Sequence, residues 1–160
     1  MSVKIHVALN SSLSDEDGRP VFEAPSGMPG GELTSIESFK LVAPREVDHK
    51  SLVSLPTRII VTREFTATES ENTLAEELLI GENGLGAPWP MSVNVYWMTP
   101  NGARTDVAAE LSLEEAYVMS VSTEDGEGAS PTQTIEIIGH GLAIKQAEEE
   151  SKVIRVAGFK

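Results

Sequence analysis

The stretch RIIVTREFTATESENTLAEELLIGENG, residues 58–84, decides the fold of this chain. Its first part is rich in β-branched and aromatic side chains, so residues 57–65 predict a strand. The alternation places Ile60 on one face of that strand and three apolar side chains on the other, namely Ile59, Val61 and Phe65. A polar break follows, and then the only helical pattern in the chain.

The start of this helix carries two overlapping capping signals. Thr68 and Glu71 fit the S/T-x-x-E capping box, and Thr73 with Glu76 offers a second register. The glutamates near the start suit the positive end of the helix dipole. The two registers place the start of the helix after Thr68 or after Thr73.

The body of the helix has one apolar face, because Leu74 and Leu78 are four residues apart. Gly81 or Gly84 supplies the stop. The pattern therefore predicts a helix near residues 71–80, which is too short to be stable alone and must dock on a sheet.

The rest of the chain predicts strands. Apolar and polar residues alternate over residues 3–9, and Asn101-Gly102 is a strong hairpin signal. Further strands are predicted at residues 33–42, 91–98, 105–113, 117–123 (after a bend near Glu114 and Glu115), 132–145 and 153–156. The expected fold class is mainly β: two packed antiparallel sheets, as a sandwich or partial barrel, with one short flanking α-helix near residues 71–80.

Two long connections interrupt these strands. Residues 10–32 are polar and rich in Gly and Pro, which predicts a long loop. Residues 43–56 predict an extended loop that contains isolated apolar side chains. In a monomer such a loop tucks onto the core, whereas in an assembly it lies on a neighbour. The strand 132–145 contains Gly139-His140-Gly141, whose glycines predict a close backbone approach or a bend.

Length and charge bound the function. A chain of 160 residues favours one domain. Its net charge of −13 argues against wrapping nucleic acid, which needs a basic surface. The chain has no cysteine, no apolar run long enough for a membrane span and no secretory signal pattern, so we expect synthesis in the cytoplasm.

No pattern for catalysis or metal binding is found. His6, His49 and His140 are isolated in sequence, without ligand spacing. Residues 15–18 (DEDG) depart from a calcium loop, since the later ligand positions do not match. We therefore expect no catalytic residues, no metal, no cofactor and no enzymatic activity.

The order of elements from residue 33 to residue 145 resembles the Hcp proteins of type VI secretion and the related tail-tube proteins of long-tailed phages and other contractile injection systems. In that family a strand with a polar triplet and an aromatic residue leads into a short helix that ends in glycine. Here these are residues 61–65 (VTREF) and residues 74–78 (LAEEL) before Gly81. A strand with aromatic residues and a glycine turn then follows, as in residues 93–97 (VNVYW) and Asn101-Gly102.

The resemblance implies a single tube-type β domain over residues 1–160, with its core at residues 3–9 and 33–145 and a C-terminal tail at 146–160. It implies a structural subunit whose hexameric rings stack into a hollow inner tube, a conduit for effector protein or DNA. Implied partners are other copies, sheath, baseplate and spike proteins and the cargo, without membrane insertion. The protein would then reside in an injection apparatus or virion tail, from which it can be ejected. Subunit-interface candidates are Val47, Leu52, Val53, Leu55, Arg63, Phe65, Ile135 and Ile137.

The alternative hypothesis is a monomeric β-sandwich module that binds carbohydrate or protein. It depends on the aromatic residues Trp89, Tyr96 and Trp97, which would form an exposed stacking platform. The opposing interpretation places these aromatic side chains in the core or in an interface.

Overall fold

The computed structural model describes residues 3–16, 19–23, 29–42, 45–47, 52–54, 56–81, 90–101, 104–125, 130–146 and 153–155. Most of this part of the chain is extended, and one helix, α1, spans Glu69–Ile80. The strands are β1 Lys4–Leu9, β2 Ser12–Glu16, β3 Arg19–Glu23, β4 Gly31–Leu33, β5 Ile36–Val42, β6 Arg45–Val47, β7 Leu52–Ser54, β8 Thr57–Glu64, β9 Met91–Asn101, β10 Arg104–Glu124, β11 Thr132–His140, β12 Ala143–Gln146 and β13 Val153–Arg155.

Nine strands share one antiparallel sheet in the order β4-β1-β9-β10-β11-β8-β5, and β12 pairs with both β10 and β13. Strand β10 is 21 residues long and joins two layers. Its first half pairs with β9 and its second half with β11. The pairing of β10 with β9 shifts between Leu113 and Ala116, which confirms the bend predicted near Glu114 and Glu115.

The sheet folds over on itself around the core. Strands β4 and β5 lie at opposite ends of its hydrogen-bonded order, yet only Thr34 and Ser35 connect them. Leu33 and Ile36 are three residue steps apart, which span at most about 11 Å, so the two ends must meet. Ser35 makes the corner with a φ of 58°. Among the described strands β4 and β5 do not pair with each other, so the sheet is not closed into a barrel.

The core lies between the two layers. Inward side chains alternate with outward ones on β8 and β11, and α1 contributes Leu74, Ala75 and Leu78. Phe39 of β5 meets Trp97 of β9 edge to face, with ring centroids 5.5 Å apart. The predicted mainly β class with one short helix is confirmed. The two predicted sheets are two layers of one sheet, which β10 joins.

The C-terminal end of α1 agrees with the sequence signal, whereas the predicted N-terminal capping box does not form. Gly81 ends the helix with a φ of 85°, and its N–H donates to the carbonyl of Glu77 at 3.1 Å. Thr68 is the N-cap residue, but its side chain makes no capping hydrogen bond. The Glu71 carboxylate instead accepts from Thr34 and Thr66, so the predicted capping box is wrong in its bonding.

Both predicted long loops contain hairpins. Strands β2 and β3 pair within residues 10–32, and the sequence between them, Asp17-Gly18, is a hairpin signal that the polar composition concealed. Strands β6 and β7 pair within residues 43–56. Each hairpin forms a two-stranded sheet separate from the nine-stranded one. The loop assignments at these strands are therefore corrected.

The Gly-His-Gly sequence divides the strand predicted at residues 132–145. A Cβ on Gly139 would lie 2.6 Å from the carbonyl oxygen of Glu115, so glycine allows the close approach of β10. Gly141 has a φ of 75°, and this turn separates β11 from β12. Both roles predicted for these glycines are confirmed. Strand β13, near the predicted residues 153–156, pairs with β12.

Candidate functional site

Arg63 is the centre of a buried polar cluster, which we define as Thr34, Arg63, Thr66, Glu71, Asn72 and Gln133. Among the described residues, Arg63 is the largest of the side chains that have no exposed surface. It lies on the same face of β8 as Ile59 and Val61, so the alternation of the strand directs it inward. A buried guanidinium needs partners for its donors.

Each nitrogen of Arg63 has an acceptor. Its Nε donates to the carbonyl of Thr34 at 3.2 Å, and Nη1 donates to Oε1 of Gln133 at 3.1 Å. Both Nη atoms lie 3.3 Å from Oδ1 of Asn72. Nη2 forms an ion pair with the Glu71 carboxylate at 3.1 Å. One side chain thereby ties β8 to the β4–β5 corner, β11 and α1.

The partners of Arg63 are held in turn. Asn72 Nδ2 donates to the carbonyl of Thr66 at 2.8 Å, and the Thr66 N–H donates back to Asn72 Oδ1 at 3.0 Å. Gln133 Nε2 donates to the carbonyl of Asn72 at 3.0 Å. No buried side-chain nitrogen or oxygen in the described part of the chain lacks a hydrogen-bond partner. With no face open to solvent, Arg63 has a structural role rather than a place in a ligand site.

The environment shifts the pKa of both charged members. Burial lowers the pKa of Arg63, and the Glu71 carboxylate partly offsets this change. Burial acts to raise the pKa of Glu71, but hydrogen bonds from Thr34 and Thr66 and the charge of Arg63 outweigh it, so the net pKa of Glu71 is lowered. Glu71 therefore stabilises the fold as a carboxylate.

This lowered pKa predicts an acid-sensitive contribution to stability. The contribution is present above the ordinary pKa of a glutamate and is lost as pH falls through the lowered value of the folded state. We expect Glu71→Gln to be less stable than the unsubstituted chain at pH 7, and we expect the difference to shrink as the Glu71 carboxylate becomes protonated at low pH. Urea unfolding at several pH values measures it. A difference independent of pH would contradict the prediction. Glu76→Gln, on the exposed side of α1, is the matched control.

The second candidate is the outward surface of β5, β8, β11 and the second half of β10, which we call the outer face. Cross-strand pairing arranges its side chains in rows. One row consists of hydroxyl residues, Ser38, Thr62, Thr134 and Ser122, and Thr62 Oγ1 lies 3.3 Å from Thr134 Oγ1. Arg58 contacts Glu136 of the neighbouring row, and Glu64 and Glu124 flank Thr132 in a further row. The outer face is polar in these rows, whereas the row of Arg58 also contains the apolar residues Val42 and Ile138.

The outer face has a free edge on each side. Strand β5 pairs with β8 on one side only, and residues 117–124 of β10 pair with β11 but not with β9, among the described strands. Most side chains of residues 119–124 are exposed, and the bulge at Met119 leaves that side chain 53% exposed. Unpaired N–H and C=O groups along such edges are ready to pair with another strand.

Three of the predicted interface residues lie inside the chain. Arg63, Ile135 and Ile137 have no exposed surface, so they offer nothing for a neighbouring subunit to contact, and the interface prediction is corrected for them. Their inward direction follows from the alternation of β8 and β11. Phe65 is half-buried just after β8. Val47, Leu52 and Val53 belong to β6 and β7, whose side chains lie outside the described part, as does Leu55.

The aromatic residues of the binding-module hypothesis do not form an exposed platform in the described part of the chain. Tyr96 is buried, and Trp97 packs against the core and Phe39. Trp89 lies outside the described residues. The observations therefore favour the core interpretation of Tyr96 and Trp97.

The described histidines do not suggest a catalytic or metal centre. His6 Nδ1 contacts the Glu32 carboxylate, His140 is exposed at the end of β11, and His49 lies outside the described residues. No group of three His, Asp or Glu side chains within the described ranges is arranged to hold a metal ion. The helix that the structure describes does not have the length and apolar character needed to cross a membrane.

Comparison with solved structures identifies the fold. The chain is similar to Hcp1 from the E. coli EAEC 042 pathovar, with a TM-score of 0.62 and 12% identity over 98% of this chain and 99% of that one. It is similar to the secreted protein Hcp3 from Pseudomonas aeruginosa, with a TM-score of 0.55 and 12% identity over 99% and 100% of the two chains. It is also similar to the tube-terminating cap of the anti-feeding prophage, with a TM-score of 0.51 and 12% identity over 90% and 89%.

No protein-family model matches the sequence, and no curated protein matches it either. At such low identities the similarity lies in the fold. It confirms the resemblance inferred from the order of the strands and the helix.

Proposed function

We propose that this chain, which has the Hcp-like tail-tube fold, is a structural subunit whose copies assemble into hexameric rings that stack as the hollow inner tube of a contractile injection system or phage tail. The observation that carries the proposal is the pair of free edges on opposite sides of one four-stranded layer.

The two edges suit a head-to-tail contact between copies. Strands β5, β8, β11 and β10 alternate in direction, so β5 of one copy placed beside β10 of the next continues the antiparallel order. The unpaired lengths are also comparable, since β5 has seven residues and the unpaired part of β10 spans residues 117–124. A heterologous contact of this kind closes into a ring when the rotation fits, and the ring leaves no edge exposed.

The hairpin of β6 and β7 supplies the second contact. It is a separate two-stranded sheet with strands of three residues, and such a hairpin is marginal without a surface to pack on. Its sequence includes the apolar residues Val47, Leu52 and Val53. In the proposed tube this hairpin lies on the neighbouring subunit or ring.

The remaining features of the proposal follow from the role of a tube subunit. The subunit is not an enzyme, takes no cofactor and forms a conduit for effector protein or DNA. Its partners are further copies of itself, sheath, baseplate and spike proteins and the cargo. It is made in the cytoplasm and then built into an injection apparatus or virion tail.

Negative-stain electron microscopy of the purified protein tests the assembly directly. Sixfold rings or striated tubes, seen end-on and from the side, are the expected result. Dispersed particles of single subunits at high protein concentration would contradict the proposal.

Disulfide trapping tests which edges meet, and the chain has no cysteine of its own to confuse the result. We expect the double variant Ser38→Cys with Ser122→Cys to form a ladder of covalent oligomers on a non-reducing gel. Within one copy the two positions are separated by three strand spacings, roughly 14 Å, which is too far for a disulfide.

The two single variants are the controls, because each can form at most a covalent dimer. Lys40→Cys with Ser122→Cys tests a register shifted by two residues on the same face of β5. Absence of species larger than a dimer from both double variants would contradict the edge contact.

A further inference from the structure

The free edge of β5 leaves inward apolar side chains partly uncovered. Phe39 and Leu41 are half-buried, although both pack against the core. Val61 and Ile59, which lie opposite them on β8 and face the same way, have no exposed surface. The difference arises because β8 has a neighbour on both sides, whereas among the described strands β5 has one on a single side.

The unpaired edge of β10 has the same feature. Val121 lies opposite Ile135 and packs against the core, yet it is half-buried, whereas Ile135 has no exposed surface. Met119, the extra residue of the bulge, is 53% exposed. We call Phe39 and Leu41 the β5 strip, and Met119 and Val121 the β10 strip.

The proposed contact between copies brings the two strips together. Where Ser38 of one copy faces Ser122 of the next, each step forward along β5 is a step back along β10, because the strands are antiparallel. Phe39 then lies opposite Val121, and the other members of the two strips lie beside each other. In the register shifted by two residues Leu41 lies opposite Val121 instead, so apolar side chains meet in both registers. Copies related by rotation about a ring axis also keep their inward faces on the same side of the joined sheet.

We propose that the β5 strip of one copy packs against the β10 strip of the next, and that this apolar contact stabilises the assembly. The inference rests on the proposed contact between β5 and β10, and the partner is a second copy of this chain. Pairing of the two backbones exchanges hydrogen bonds to water for hydrogen bonds to a strand, so its net contribution is modest. Removal of the strips from water adds a driving force at the same place. The flexible side chain of Met119 suits an irregular gap beside a bulge.

Substitution of Met119 tests the proposal, because replacing an exposed side chain has little effect on the stability of a single subunit. We expect Met119→Ser to raise the concentration for half-assembly, measured by sedimentation velocity, by about tenfold. Met119→Leu keeps an apolar side chain of similar size and is expected to assemble like the unsubstituted chain. Ile80→Ser is the matched control, since Ile80 is 51% exposed but lies on α1, outside both strips.

Urea unfolding at a protein concentration below that of assembly separates loss of the contact from a folding defect. We expect Met119→Ser and Ile80→Ser to have nearly the same urea midpoint as the unsubstituted chain. A lower midpoint for Met119→Ser alone would place its effect within the subunit and overturn the inference.

The outcomes also separate this inference from the proposed function. Equal half-assembly concentrations for Met119→Ser and Ile80→Ser would overturn the packing of the two strips and leave the tube proposal standing. Single subunits of the unsubstituted chain at every concentration would overturn the edge contact itself, and this inference with it.

Discussion

Replacing Arg63 by alanine is expected to lower the free energy of unfolding by about 3–5 kcal/mol, the usual cost of removing one partner from a buried ion pair. The substitution leaves the Glu71 carboxylate without its cation and removes the donor that Gln133 Oε1 accepts from Arg63. Since whole domains are stable by about 5–15 kcal/mol, this loss is a large fraction of the total. Urea unfolding followed by circular dichroism measures it.

Arg58→Ala is the matched control for this experiment. Arg58 lies on the same strand and also contacts a glutamate, Glu136, but half of its side chain is exposed. Exposed ion pairs contribute about 0–1 kcal/mol, so only a small loss is expected. If Arg63→Ala does not fold, Arg63→Lys keeps the charge without the planar fork and is expected to be intermediate. Equal losses for Arg63→Ala and Arg58→Ala would contradict the role of the buried cluster.

Replacing Ile137 by alanine is expected to destabilise the single chain by about 2–5 kcal/mol, the range for truncating a fully buried aliphatic side chain. Ile137 has no exposed surface and belongs to the cluster of core residues between the layers. Its neighbour Ile138 points to the outer face and is half-buried. Ile138→Ala is therefore expected to cost about 1 kcal/mol or less.

The pair distinguishes the core from the interface. A loss of stability in Ile137→Ala that does not depend on protein concentration identifies a core position. A loss seen only at concentrations where copies assemble would restore the interface role that the sequence suggested. The same comparison applied to Ile138→Ala measures how much the outer face contributes to assembly.

The buried polar cluster stabilises the same four-stranded layer whose free edges are proposed to pair with other copies. The buried polar cluster fixes the helix, the β4–β5 corner and the four-stranded layer relative to one another, because Arg63 bonds to each of them. The edges that this layer leaves free are the ones proposed to pair with other copies. Weakening the cluster should therefore disturb assembly indirectly, through the geometry of the edges. The disulfide-trapping variants detect such a change as a loss of the covalent ladder.

The sequence by itself determined the class of fold and the positions of α1 and of the longer strands, because these follow from local periodicity. Alternation over β1 and β8, the apolar face of α1 and the glycine at its end were all readable from neighbouring residues. The alternation of β8 also places Arg63 on the inward face with Ile59 and Val61. The alternation of β11 places Gln133 on the inward face with Ile135 and Ile137.

Only the tertiary structure decided what those inward polar residues meet. Glu71 satisfies a capping motif in sequence, but its carboxylate bonds to Thr34, 37 positions away along the chain, and to Arg63. Gln133 and Arg63 are 70 positions apart. A buried charge binds whatever partners the packed layers bring within about 3 Å, and that proximity depends on the fold of the sheet rather than on spacing in the chain. The free edges also depend on the tertiary structure, because the edge of a strand is free only if no other strand of the fold pairs with it.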